Sequence, residues 1–150
     1  MIDIIYRESQ KRIAVAIKNI IQNDGGYNSR LVLFSPDSFP GYVRKTDKRN
    51  CQLIISLEMN GFTSIDSDGT PFFNHLPINI LVIMEGSPEI YDIILKMRLN
   101  YTIYFLHTSR EGVKQIKEQH PHIYNVDFLP NLNSLPNFLN KMDWRYAYQD

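Results

Sequence analysis

The chain has 150 residues, 43% of them hydrophobic and 21% charged, enough for one domain to bury a core without metals or disulfides. Sixteen basic residues balance sixteen acidic ones, so no global field draws in nucleic acid or an anionic membrane surface. Cys51 is the single cysteine, which excludes an intramolecular disulfide and a cysteine-rich zinc site, and no apolar run approaches the roughly 20 residues of a membrane span.

In chain order, residues 2–6 read as a short apolar strand, followed by a helix that Ser9 can cap and that carries Ile13, Ile17, Ile20 and Ile21 on one face before Gly25-Gly26 stops it. Residues 31–34 form a second strand, ended by the prolines and glycine of residues 35–41, and a helical turn is expected between Tyr42 and Asp47. The cluster Arg44 to Arg49 is interrupted by Asp47 and reads as a solvated connection. Residues 53–57 are a third strand. Asn60-Gly61 and the run Asp66 to Gly69 are turns, and Thr70 with Pro71 opens a short helix that turns Phe72, Phe73 and Leu76 inward.

Residues 78–84 are apolar on both faces, the mark of a strand in the middle of a covered, mostly parallel sheet. Glu85-Gly86 ends it. Ser87 and Pro88 start a helix with Ile90, Ile94 and Met97 at helical spacing. Residues 101–106 are a fifth strand, Thr108 and Glu111 make a capping box for the next helix, and residues 123–129 are a sixth strand stopped by Pro130. A last helix is expected at 135–141, and Trp144, Tyr146 and Tyr148 follow it in an aromatic tail.

This alternation predicts one domain over residues 1–150: α/β, three-layer and doubly wound, with a mostly parallel, Rossmann-like sheet of about six strands. Ligands of such sheets sit outside the carboxyl ends of the strands. With a Rossmann-like order the first and fourth strands adjoin, so the expected ligand-binding rim is Tyr6, Arg7 and Ser9 facing Glu85 and Ser87, extended by His107 and Asn131. Helix starts near Ser9 and Ser87 offer free N–H donors to a phosphate or carboxylate. A His107 general base beside Glu85 is the enzymatic alternative.

The absences narrow the field further. There is no glycine-rich dinucleotide fingerprint after the first strand, no P-loop and no nucleophile elbow. A phosphoacceptor receiver domain would carry an acidic pair where Tyr6-Arg7 stand and an aspartate where Ser56-Leu57-Glu58 stand. His120 and His122 lack a third metal ligand, so no metal and no cofactor are expected. The amino terminus has neither a basic start nor a long apolar core, so no signal peptide is expected and the default location is cytoplasmic.

The apolar strand ending in Glu85-Gly86-Ser87-Pro88, the strand 101–106, the run Gln119 to Ile123 and the strand ending Phe128-Leu129-Pro130 resemble the amino-terminal domain of a bacterial glycosyltransferase-like family. These are the CgeB-like, spore-maturation proteins with two Rossmann-like domains in the GT-B arrangement, and the likeness covers roughly half the chain. It implies an acceptor-side domain, not catalytic alone, with a sugar, nucleotide or phosphate-bearing ligand and a second domain or protein partner. The family pattern has Asp-His-Pro after the central strand and a histidine-glycine run after Leu-Pro. This chain has Glu85 without a histidine, and Asn131-Leu132. The alternative is a stand-alone regulatory or protein-interaction module that binds a small anionic ligand or a partner protein.

Overall fold

The computed structural model describes residues 1–142, so the aromatic tail with Trp144, Tyr146 and Tyr148 lies outside the described residues. Six parallel strands, β1 (Ile2–Tyr6), β2 (Ser29–Leu33), β3 (Leu53–Leu57), β4 (Asn79–Met84), β5 (Ile103–His107) and β6 (Val126–Phe128), form one sheet in the order β2-β1-β3-β4-β5-β6. Every residue of β1, β3 and β4 is buried, as expected of strands covered on both faces.

Among the described residues five helices cover the sheet: α1 (Lys11–Gly25), α2 (Phe39–Lys45), α3 (Asp92–Leu95), α4 (Arg110–Gln119) and α5 (Leu135–Lys141). Ala14, Ile17 and Ile21 of α1 pack with Leu135 and Leu139 of α5 onto Ile4, Ile55, Leu81 and Leu106. Phe39 of α2, Leu95 of α3 and Ile116 of α4 pack on the other face against Ile5, Ile54, Ile80, Val82 and Phe105. The handedness of crossovers explains this division. The step from β1 to β2 moves one way along the sheet and every later step moves the other, so right-handed connections put α1 on one face and α2, α3 and α4 on the opposite one. The first face is left with a single crossover helix, and α5 returns after β6 to cover more of it.

The strand order corrects one expectation. β1 lies between β2 and β3, so the sheet reverses at β1/β3, and β1 is separated from β4 by β3. Hydrophobic patterning sets which faces are buried but not the side of β1 on which the third strand lands.

The helix starts differ as well. Ser9 does not cap α1; it lies within a 3-10 turn, Glu8–Gln10, closed by the Arg7 N–H donating to Gln10 Oε1 (2.9 Å). Ser109 rather than Thr108 caps α4, its Oγ accepting from the Gly112 N–H (2.9 Å), because the Thr108 N–H still extends the sheet by donating to Met84 O (3.0 Å). Ser87 makes no side-chain cap bond, and the expected helix is a 3-10 turn, Pro88–Tyr91, continued by the four residues of α3. Pro40 falls in the first turn of α2 and helps to start it, which moves that helix ahead of residues 42–47. β6 is shorter than residues 123–129, and α5 matches its expected bounds.

Candidate functional site

At the reversal between β1 and β3 the two carboxyl ends are joined through side chains. Gln10 Oε1 accepts from Asn60 Nδ2 (2.7 Å) as well as from the Arg7 N–H, which links the turn after β1 to the turn after β3. Ser56 Oγ holds the second turn from below by donating to Asn60 O (2.8 Å).

The turn after β3 begins with two non-glycine residues in the left-handed region, Glu58 (φ 49°) and Met59 (φ 59°). Two such residues in succession are uncommon and persist only where surrounding contacts fix them. Here those contacts are visible. The Glu58 N–H donates to Ile83 O (2.9 Å), the Met59 side chain is buried, and the Glu58 carboxylate turns onto the end of β4. Its Oε1 accepts from the backbone N–H groups of Glu85 and Gly86, the latter at 3.2 Å, and its Oε2 accepts from the Tyr91 hydroxyl. Burial, and then the hydrogen bond to Glu58, push the Tyr91 phenol well above its usual range, while Arg7 acts in the opposite direction from nearby. The Arg7 guanidinium lies 5.5 Å from the Phe34 ring centroid, a cation–π distance.

His107 holds the same turn from the far side. Its Nε2 meets Gly86 O at 2.8 Å and its Nδ1 accepts from the Ser109 N–H at 3.0 Å, a pair of contacts that places the ring proton on Nε2. The ring is 2% exposed and lies against Gly112, where an added Cβ would sit 2.4 Å from ring atoms.

Among the expected site residues, Tyr6 ends β1 with its side chain in the α1/α5 core, and Arg7 and Ser9 are exposed in the turn that follows. Glu85 and Ser87 are exposed after β4, and no ion pair joins Arg7 to Glu85 among the described residues. Asn131 follows β6 at the outer edge of the sheet, its Oδ1 accepting from Ser134 Oγ (3.4 Å). The structure therefore brings Glu85, Gly86 and His107 together around one turn, with Arg7 within electrostatic reach of Tyr91. Glu58, Tyr91, Gln10 and Asn60 are the members that sequence reasoning missed. The available signal was Glu58 itself, a lone acidic residue ending an apolar strand, but only the β1/β3 adjacency gives that position its meaning.

Elsewhere, His75 Nε2 lies 3.3 Å from Asp66 and 3.2 Å from Asp68, and His120 Nε2 lies 2.7 Å from Asp92. No group of three or more His, Cys, Asp or Glu side chains among the described residues has metal-holding geometry. No helix among them is long and apolar enough to cross a membrane. No protein-family model matches the chain, and neither the curated proteins nor the solved structures include a match to it.

Proposed function

We propose that this chain is a regulatory or interaction module of α/β type whose rim at the β1/β3 reversal takes a small anionic ligand, with no catalytic centre of its own. The observation that supports this reading most is how the polar groups of that rim are already engaged with one another. A nucleophile or general base needs a free lone pair facing a substrate. The Glu58 carboxylate is held by three donors, and both His107 ring nitrogens are bonded inside the protein. The exposed basic groups there are Arg7 beside the crevice and Lys11 and Arg12 in the first turn of α1, which outnumber the exposed carboxylates of Glu8 and Glu85. Cations at a helix amino terminus are mildly unfavourable until an anion arrives, which gives such a ligand a reason to bind.

The test is a thermal-shift series on the whole chain with small carboxylates, phosphates, nucleotides, sugar phosphates and sugar nucleotides at fixed ionic strength. A ligand that binds only the folded chain raises the melting temperature by mass action. The reading expects a saturable rise with at least one anion, reduced tenfold or more in affinity by Arg7→Ala. No rise with any anion would refute it. The glycosyltransferase-like reading rests on the resemblance described above. It is favoured if sugar nucleotides alone produce the shift.

A further inference from the structure

We infer that the notch formed by the Glu85 and Gly86 N–H groups and the Tyr91 hydroxyl is a carboxylate-binding site, filled by Glu58 of the same chain and open to a free small carboxylate when that side chain withdraws. The inference deepens the anion-binding reading above, on which its biological use rests. The donor set reads both oxygens of a carboxylate: two backbone N–H groups converge on Oε1, and the hydroxyl takes Oε2. These donors are the backbone of the turn between β4 and the 3-10 turn Pro88–Tyr91, and a tyrosine side chain. They are preorganised, because His107 fixes the opposite side of the same turn through Gly86 O (2.8 Å) and β4 beneath it is wholly buried.

A Cβ added at Gly86 would stand 3.4 Å from Glu58 Oε2 and 3.5 Å from the Tyr91 hydroxyl oxygen, ordinary contact distances that place the turn directly against the carboxylate. Arg7 lies near enough to Tyr91 to oppose, as the smallest of the influences on its phenol, the effects of burial and Glu58. The occupant is attached through a left-handed backbone that neither Glu58 nor Met59 adopts readily, so the carboxylate is brought to its donors at a conformational cost. An attached group acts at a high effective concentration, at least millimolar, so a free carboxylate meets strong competition in the native chain and little once the Glu58 carboxylate is removed.

The experiment is chemical rescue of Glu58→Ala and Glu58→Gly, the second of which also relieves the positive φ. Sodium acetate and formate are titrated against sodium chloride at equal ionic strength, with melting temperature as the readout and inorganic phosphate as a parallel arm. The expected result is a saturable rise of a few degrees with acetate or formate in both variants. A much smaller rise is expected in the native chain, and none when Tyr91→Phe is combined with Glu58→Gly. If a variant is unfolded in chloride, recovery of its fold by acetate is the same rescue. Equal shifts in native and variant chains, no rescue, or a larger effect of phosphate than of acetate would overturn the assignment. A native chain that responds to anions through Arg7 but shows no rescue would refute the notch and leave the broader reading standing.

Discussion

Asp3 is a fully buried carboxylate in the first strand, inside a run whose other members are apolar. Its burial is compensated by Arg30 on β2, with Nε at 2.6 Å and Nη2 at 3.2 Å, and by the Tyr42 hydroxyl of α2 at 2.6 Å. One side chain thus ties two strands to a helix, at the end of the sheet away from the candidate site. An unpaired charge there would be prohibitive, whereas a paired one adds little net stability. Burial, followed by the hydrogen bond to Asp3, pushes the Tyr42 phenol far above its ordinary value, and burial pushes the nearby Cys51 thiol up to about 12. Between pH 10 and the raised folded value the unfolded chain loses the Tyr42 proton and the folded chain keeps it, so stability falls as pH rises through that window. Urea unfolding from pH 7 to 11 should show this alkaline loss. Tyr42→Phe should reduce it, leaving the share that the raised Cys51 thiol and Tyr91 phenol contribute, and cost about 1–3 kcal/mol at pH 7, the range for a buried acceptor that loses one donor. The sequence contains Asp3, Arg30 and Tyr42 but no sign that they meet, because their contact depends on β1 lying beside β2 and beneath α2.

At the scale of elements, the ends of strands decide more than their middles. β4 and its neighbours were legible because a nearly unbroken apolar run of strand length belongs in the covered middle of a parallel sheet. α5 was legible for a similar reason, since its start has Pro136 in the first turn and its buried residues recur at helical spacing. The starts of α4 and α3 were not, because a capping serine or threonine is chosen by what the sheet leaves over. Thr108 is still bound to Met84 O, and Ser109 takes the role. The turn after β3 was least legible, since glutamate and methionine give no hint of positive φ. Gly112 tests the packing behind the site. Alanine is about 1 kcal/mol the better helix former, but its methyl group would enter the buried His107 ring, and overpacking of this kind costs about 1–3 kcal/mol. Gly112→Ala is therefore expected to lower stability in thermal or urea unfolding and to perturb the Gly86 turn. An unchanged or raised midpoint would mean that His107 is not wedged there.

For the whole molecule, the sheet order β2-β1-β3-β4-β5-β6 moves the expected ligand crevice from the β1/β4 boundary of a Rossmann-like order to β1/β3. Composition and periodicity made the three layers and the parallel sheet readable, and they placed Arg7 at a strand's carboxyl end. They could not supply the neighbour of β1, and with it the pairing of Glu58 to the β4 turn, because hydrophobic patterns constrain faces and lengths rather than lateral order. Within this framework the Glu58 carboxylate, the Glu85-Gly86 turn and His107 form one bonded chain across the ends of β3, β4 and β5. Amide hydrogen exchange at Glu85 and Gly86 tests that chain most directly. In the native protein both amides are expected to be protected despite their place in a surface turn, and Glu58→Gly should raise their exchange at least tenfold while leaving the β4 amides protected. Rapid exchange of both amides in the native chain, or protection unchanged in the variant, would contradict the account.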